Sequence, residues 1–269
     1  MLEALSFEFM QHALLAGILV SIISGIIGSL IVVNRMVFLA GGIAHTSYGG
    51  IGLAVFFGLP IFLGASLFAV VAAVIIAMLS LGNKSRIDTI IGLIWAVGMA
   101  IGVVLVDKTQ GYNVDLMSYL FGSILAVSSS DLYFMGATLV VVVLAILKYY
   151  REMLAVSYDL EYASIRGINV RFIYTLMLVL SALSVVVAIK VVGLILVIAM
   201  LTIPVYIAQH ISNSLIGMMI SSSIISTIFT LIGLYISYSY DITSGASIIL
   251  VSAVCMSIFG IYQYLKPNL

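Results

Sequence analysis

Charged residues are scarce in this chain of 269 residues. Lys, Arg, Asp and Glu make up only 7% of the sequence, whereas 64% of it is hydrophobic and the mean hydropathy is +1.34. Because a soluble domain carries about 25% charged residues, this composition excludes a soluble globular protein. The ten basic residues balance ten acidic residues, so the chain also lacks the basic surface of a nucleic-acid-binding protein.

Cysteine and catalytic motifs are lacking as well. The single cysteine, Cys255, excludes a disulfide framework and a cysteine metal cluster, and we interpret it as a small apolar packing residue. Residues 82–85 lack the order of a phosphate-binding loop, and the sequence contains no nucleophile or zinc-protease motif. We therefore expect a protein that is not an enzyme and that takes any energy input from another protein.

Long apolar runs fill almost the whole chain. A membrane-spanning helix needs about 20 predominantly apolar residues, and the runs between polar breaks are 13–33, 37–58, 61–81, 87–106, 132–149, 172–189, 191–209, 217–237 and 245–264. The sequence predicts an all-α polytopic membrane bundle of eight or nine transmembrane helices, with residues 1–269 forming one transmembrane domain. The sequence leaves eight and nine transmembrane helices as alternatives, because only Lys190 and Gly193 interrupt the apolar stretch 172–209.

Basic residues predict the orientation of the bundle. They cluster at Arg35, at residues 84–86 and at residues 148–171, and short loops rich in Lys and Arg stay in the cytoplasm. The loops at 107–131 and 238–243 then lie outside. Lys108 and Lys190 do not fit this assignment.

Two connections are longer than a simple turn requires. In the inner one, 151–171, Asp159 is placed to cap a short helix, with Glu161 in its first turn and Gly167 at its end. This helix is either part of a surface loop or the place where a soluble subunit docks. In the outer connection, 111–127, the apolar part is too short to span, which predicts a half-helix that enters from the outer side.

Polar residues inside apolar spans are candidate functional residues, because they are costly in a membrane. At helical spacing Gly41, His45, Tyr48, Gly49 and Gly52 share one face of the second span. Glycines allow a neighbouring helix to approach closely. The imidazole is then either a cation ligand or a structural group that is hydrogen-bonded between helices.

Two further positions are of interest. Pro204 lies inside an apolar span, where it frees a carbonyl group and bends the helix, which occurs at transport pathways but also in ordinary packing. Asp241 lies at the predicted outer mouth, where it either meets a cation or caps the last helix together with Thr243 and Ser244.

Four ordered segments carry a family resemblance: 34–45, 111–125, 191–204 and 240–247. They resemble the permease subunits of ABC importers for manganese, zinc and iron, over nearly the full chain. The resemblance implies a fold similar to the importers of vitamin B12 and iron-siderophores. It also implies a homodimer in a prokaryotic cytoplasmic membrane, two cytoplasmic ATP-binding subunits and an extracytoplasmic metal-binding protein.

The resemblance also suggests roles for individual residues, all numbered in this sequence. A metal pathway would include His45, Tyr48, Asp115 and Asp241. The loop that couples to the ATPase would include Tyr158, Asp159, Glu161, Ala163, Arg166 and Gly167. Residues for helix packing and gating would be Gly41, Gly49, Gly52, Gly193 and Pro204.

One position departs from the family pattern. Most members carry an Asp four residues before the histidine, and this chain has Gly41 there. The usual Asp–His pair is therefore incomplete. Either another oxygen ligand completes the site or the substrate differs. The missing Asp carboxylate disfavours binding of Mn²⁺ relative to Zn²⁺ or iron, because Mn²⁺ prefers oxygen ligands.

The expected mechanism is alternating access driven by ATP hydrolysis in the partner subunit. No cofactor is expected to stay bound, and the divalent metal ion is cargo. The alternative is an ion-coupled secondary transporter or channel for metal cations. Against it, no acidic residue lies at mid-membrane and no inverted repeat is evident in the sequence.

Overall fold

The computed structural model describes residues 6–82, 87–109 and 116–265, and within these ranges it contains helices and connections but no strand. The helices are α1 (Glu8–Val33), α2 (Val37–Phe57), α3 (Ile61–Gly82), α4 (Ile87–Asp107), α5 (Leu116–Phe121), α6 (Ser129–Tyr158), α7 (Leu160–Ile165), α8 (Val170–Val192), α9 (Val197–Ile211), α10 (Leu215–Tyr240) and α11 (Ser244–Leu265). A short 3₁₀ turn, Ile124–Ala126, follows α5.

Each of the nine predicted spans coincides with one helix, and the all-α membrane fold is confirmed. Among the described residues, seven helices are long and apolar enough to cross a membrane, namely α1, α3, α4, α6, α8, α10 and α11. The helix α9 is apolar but has only 15 residues. The helix α2, with 21 residues, is not among these seven, and it contains His45, other polar residues and several glycines.

The boundary between the sixth and seventh spans differs slightly from the prediction. We expected the break near Lys190, but α8 continues through Val192 and ends at Gly193, whose φ of +86° is incompatible with a right-handed helix. Lys190 instead occupies the last turn of α8, where a positive charge interacts favourably with the helix dipole.

The helices form two compact units, and the first comprises residues 1–32, 117–135 and 188–269. Small residues bring its helices together. A Cβ on Gly25 would overlap the backbone of Ser223, and one on Gly233 would lie 2.5 Å from the Cα of Ile248. The hydroxyl groups of Ser21 and Thr230 form a buried hydrogen bond of 2.9 Å, so polar side chains within this unit satisfy each other.

The second unit comprises residues 33–116 and 136–187. Here α2 packs against both α3 and α4. A Cβ on Gly49 would lie 2.7 Å from the carbonyl oxygen of Gly98, and a Cβ on Gly52 would lie 2.5 Å from that of Gly102. The glycine face of α2 is therefore in direct backbone contact with α4. The prediction of one transmembrane domain for the whole chain stays a prediction.

Candidate functional site

His45 lies in α2, in the second unit, and its Nδ1 atom is buried without a hydrogen-bond partner. Its polar neighbours behave differently. The Thr46 hydroxyl donates to the Gly42 carbonyl at 2.6 Å, and the Ser47 hydroxyl donates to the Ala44 carbonyl at 2.6 Å. Buried polar atoms are normally paired, so the free ring nitrogen of His45 requires an explanation.

The imidazole ring of His45 stacks on the indole ring of Trp95 from α4. The ring centroids are 4.0 Å apart and the planes make an angle of 15°. The indole nitrogen of Trp95 donates a hydrogen bond of 3.0 Å to the sulfur of Met99, one turn further along α4. His45, Trp95 and Met99 thus form a continuous row of side chains across the α2–α4 contact.

The other residues that the sequence placed on this face of α2 are buried too. Gly41 is buried, and Tyr48 is only 4% exposed. Gly49 and Gly52 take part in the backbone contact with α4 described above. The predicted shared face therefore packs inside the protein. The sequence did not predict Trp95 as the partner of His45. Helical periodicity shows which residues share a face of one helix but not which residues of another helix contact that face.

The break between α8 and α9 is a second feature, in the first unit. Gly193 and Gly122 have φ values of +86° and +76°, and a Cβ on Gly122 would overlap the backbone of Gly193. The backbone amide of Ser123 donates to the Lys190 carbonyl at 3.1 Å, and that of Leu194 donates to the Tyr119 carbonyl at 3.0 Å. The segment after α5 and the α8–α9 break thus satisfy each other's backbone groups.

Lys190 and Asp131 form an ion pair at this break, which the sequence analysis did not anticipate. The Lys190 Nζ lies 3.5 Å from the Asp131 Oδ2, and their side chains are 20% and 14% exposed. The ammonium group also lies 5.6 Å from the centre of the Tyr119 ring. This pair explains why Lys190 did not fit the pattern of cytoplasmic basic residues. A lysine inside a membrane span indicates an acidic partner, and that signal could have predicted the pair.

Asp241 lies at the C-terminal end of α10, with a φ of +53°. Its backbone amide donates to the Ser237 carbonyl, so Asp241 terminates α10. It lines a cavity of about 710 Å³ together with Phe9, Leu125, Tyr235 and Tyr238. Asp115, the other predicted acidic residue of the pathway, lies outside the described residues.

The helix α7 is capped at both ends, as the sequence predicts. The Asp159 carboxylate accepts the backbone amides of Glu161 at 2.8 Å and Tyr162 at 3.1 Å. At the other end Gly167 has a φ of +79°, and the amide of Ile168 donates to the Ala163 carbonyl at 3.1 Å.

Two large side chains near α7 are strongly exposed, one at the end of α6 and one at the end of α7. Ala163 is fully buried, whereas Tyr158 is 91% exposed and Ile165 is 84% exposed. The Arg166 guanidinium lies 5.0 Å from the centre of the Tyr162 ring. Contiguous exposed apolar surface marks sites of contact with protein or membrane.

The turn between α1 and α2 is bonded to the chain just before α7. The side-chain amide of Asn34 donates to the Ser157 hydroxyl at 2.8 Å, and the Ser157 hydroxyl donates to the Met153 carbonyl at 2.7 Å. A cavity of about 350 Å³ lies beside this bond and is lined by Arg35, Asp159 and other residues. Within the second unit, the turn that precedes α2 is therefore bonded to the end of α6, which precedes α7.

Pro204 lies inside α9, as the sequence indicates. It cannot donate the hydrogen bond that the carbonyl of Met200 would otherwise accept. On the same helix, the carbonyl oxygen of Leu201 lies against Gly28 of α1, where a Cβ would overlap it. The helix is thus packed tightly beside its proline.

No permanent metal centre is evident in the part of the chain that the structure describes, which holds no group of three or more His, Cys, Asp or Glu residues. The candidate site is instead His45 in the glycine-rich helix α2. The break between α8 and α9 is a separate feature in the first unit. Together with the apolar spans, these features define a multi-pass membrane protein of the permease class.

Comparison with known proteins agrees with this class. The chain belongs to the ABC 3 transport family, whose profile matches residues 6–263. It is 44% identical to an uncharacterized membrane protein of Synechocystis sp. over 254 residues, which are 94% of this chain and 90% of that protein. It is 35% identical to the manganese transport system membrane protein MntC of Halalkalibacterium halodurans, over 99% of this chain and 90% of that protein.

A solved structure is similar over its whole length. PsaBC from Streptococcus pneumoniae, in complex with a Fab, superposes with a TM-score of 0.87 at 33% identity and covers 98% of each chain. The resemblance to metal-importer permeases is thereby confirmed, as is the location in a prokaryotic cell membrane. The alternative of a secondary transporter or channel is not favoured, since the family is one of ABC transporters.

Proposed function

We propose that the chain is the membrane permease of an ABC importer that moves a divalent transition metal, Zn²⁺, Mn²⁺ or Fe²⁺, into the cytoplasm. Two lines of support are the family and the manganese transport system named for a relative. The observation that carries the proposal is the buried, unpartnered Nδ1 of His45. A neutral imidazole nitrogen is a ligand for such ions.

His45 is proposed to contact the ion in passage rather than to store it. One imidazole without a neighbouring carboxylate binds weakly, and weak binding favours conduction because a tightly held ion leaves slowly. Gly41, four residues earlier, contributes no ligand. Tyr48 lies about one turn further along α2 and is only 4% exposed.

Entry of the ion is proposed to occur at the predicted outer side. Asp241 lines the cavity of the first unit described above, whose lining also includes tyrosine and serine residues. A carboxylate attracts a divalent cation, and the surrounding hydroxyl groups are suitable ligands for partly hydrated ions. Asp115 and the half-helix α5 belong to the same predicted outer connection.

Coupling to ATP hydrolysis is proposed to occur at α7. The exposed Tyr158 and Ile165 would dock on a cytoplasmic ATP-binding subunit, and the caps at Asp159 and Gly167 would keep the helix rigid. The Asn34–Ser157 hydrogen bond joins the end of α6, directly before that helix, to the turn that precedes α2, the helix that carries His45. We propose alternating access in a homodimer that receives metal from an extracytoplasmic binding protein.

Metal uptake by cells that carry the complete importer tests the proposal. We expect His45→Ala to lower uptake of Zn²⁺ at least about tenfold, because the ligand is lost, with unchanged amounts of assembled complex in the membrane. His210→Ala is the matched control, since His210 is exposed and its Nδ1 lies 2.8 Å from the Tyr206 carbonyl of its own helix. Normal uptake by His45→Ala would remove His45 from the pathway.

A further inference from the structure

We propose that Trp95 is a positioning residue for His45 and that the stacked pair makes the pathway selective for Zn²⁺ over Mn²⁺. This inference rests on the proposed role of His45 as a pathway ligand. It is carried by the ring stacking, by the hydrogen bond that holds Trp95 and by the lack of an acidic residue on α2, the helix that carries His45.

Stacking fixes the direction of the imidazole without blocking ligation. A ring nitrogen binds a metal ion in the plane of the ring, whereas the indole of Trp95 covers the face of the ring at 4.0 Å. The indole therefore does not cover the lone pair in the ring plane, and rotation of the imidazole out of this plane would lose the stacking. A ligand that is held in one direction loses less entropy on binding.

Trp95 is itself held in place. Its indole N–H donates to the Met99 sulfur at 3.0 Å, and both residues lie on α4. An indole group usually finds such a partner when it is removed from water. The glycine contacts between α2 and α4 hold the two backbones in register, so the distance between His45 and Trp95 is set by the packing of the helices.

The donor set favours one class of ion. His45 supplies nitrogen, and α2 carries no acidic residue. Mn²⁺ lies at the weak end of the order of affinities for nitrogen ligands and prefers oxygen, whereas Zn²⁺ binds imidazole well. A metal ion also withdraws electron density from the imidazole, and the electron-rich face of Trp95 stabilises that charge. Binding by an oriented imidazole alone therefore discriminates against Mn²⁺.

The fluorescence of the chain offers a direct test, because Trp95 is its only tryptophan. We expect Co²⁺, a quencher that binds imidazole, to reduce the emission of the full-length chain purified in detergent. Zn²⁺ should reverse the quenching by competition, and Mn²⁺ at the same concentration should not. His45→Ala should abolish the quenching, and His210→Ala should retain it.

Two results of this experiment would overturn the inference. Equal quenching in His45→Ala and in the unaltered chain would show that the metal does not bind beside Trp95. Equal competition by Mn²⁺ and Zn²⁺ would reject the proposed selectivity.

Metal uptake by Trp95 variants distinguishes a positioning role of Trp95 from a purely structural role. In the complete importer, Trp95→Leu should lower Zn²⁺ uptake about tenfold and lower the ratio of Zn²⁺ to Mn²⁺ uptake, because the stacking is lost. Trp95→Phe retains an aromatic face and should stay within about threefold of the unaltered protein for both ions. The amount of folded complex in the membrane is measured for each variant.

The failure of this inference is distinguishable from failure of the proposed function. If His45→Ala impairs uptake but Trp95→Leu changes neither the rate nor the ion ratio, Trp95 has no positioning role and His45 remains a pathway ligand. If His45→Ala has normal uptake, the pathway role itself is wrong. If Trp95→Leu does not assemble, the fluorescence experiment decides, since it uses the native Trp95: quenching that depends on His45 and is reversed by Zn²⁺ but not by Mn²⁺ supports the inference, and equal competition by the two ions contradicts it.

Discussion

The ammonium group of Lys190 lies 3.5 Å from the carboxylate of Asp131, and both side chains are mostly buried. The Oδ2 atom of Asp131 also accepts the backbone amide of Ser128 at 3.0 Å. The pair therefore connects the last turn of α8 to the first turn of α6. It neutralises a lysine that would otherwise be unpaired in an apolar environment.

Removal of one partner of this pair should be more harmful than removal of both. Asp131→Asn leaves an uncompensated charge, and we expect a loss of about 1–3 kcal/mol, reduced by the residual exposure of both groups. The double variant Asp131→Asn with Lys190→Met should recover part of that loss. Thermal unfolding of the purified protein in detergent measures the coupling between the two residues. Additive losses would mean that the ion pair does not contribute.

Gly122 should not tolerate a side chain. Its φ is +76°, and an added Cβ would overlap the backbone of Gly193. We expect Gly122→Ala to destabilise the protein by about 2–4 kcal/mol, because both strain and overlap act at this position. Gly136→Ala is the matched control, since nothing lies within 4 Å of an added Cβ there and alanine favours a helix. Similar melting temperatures for the two variants would contradict this interpretation of the break.

The contact between α2 and α4 gives a comparable test in the second unit. A Cβ on Gly52 would lie 2.5 Å from the Gly102 carbonyl oxygen, whereas a Cβ on Gly92 of α4 meets nothing within 4 Å. Gly52→Ala should separate the helices and lower metal uptake, and Gly92→Ala should leave it unchanged. Uptake is scored relative to the amount of protein in the membrane. A normal rate for Gly52→Ala would show that the close approach is dispensable for transport.

The exposed apolar surface of α7 predicts a binding defect without a folding defect. Ile165 is 84% exposed, so Ile165→Ser should change stability by no more than about 0.5 kcal/mol. We expect it to reduce co-purification of the ATP-binding subunit about tenfold, because exposed apolar residues dominate such interfaces. Ser164→Ala on the same helix is the control, since the Ser164 hydroxyl donates to the Glu161 carbonyl of its own helix. Retention of the ATPase by Ile165→Ser would place the docking surface elsewhere.

Hydropathy and helical spacing predicted most of the fold. The nine apolar runs each became a helix, because a backbone in a membrane must satisfy its own hydrogen bonds. The caps of α7 were visible as Asp159 and Gly167, whose effects are local. The shared face around His45 was visible because its spacing repeats within one helix.

The partners of the key residues were not predictable in the same way. His45 is stacked on Trp95, and Lys190 is paired with Asp131, 59 positions earlier in the chain. Each pair depends on how two helices pack, and a single sequence carries no periodic signal for that. The continuation of α8 through Val192 was missed because a polar lysine was taken as the end of a helix that Gly193 in fact ends.

The mutual pairing of the segment after α5 with the α8–α9 break has a consequence for solvent exchange. The amides of Ser123, Leu194 and Ile195 lie outside helices, yet each donates to a carbonyl of the opposite segment. These amide protons should therefore exchange with deuterium as slowly as those of the adjoining helices, and all three should become labile together when the two segments part. Deuterium uptake at these amides thus reports the separation of the two segments.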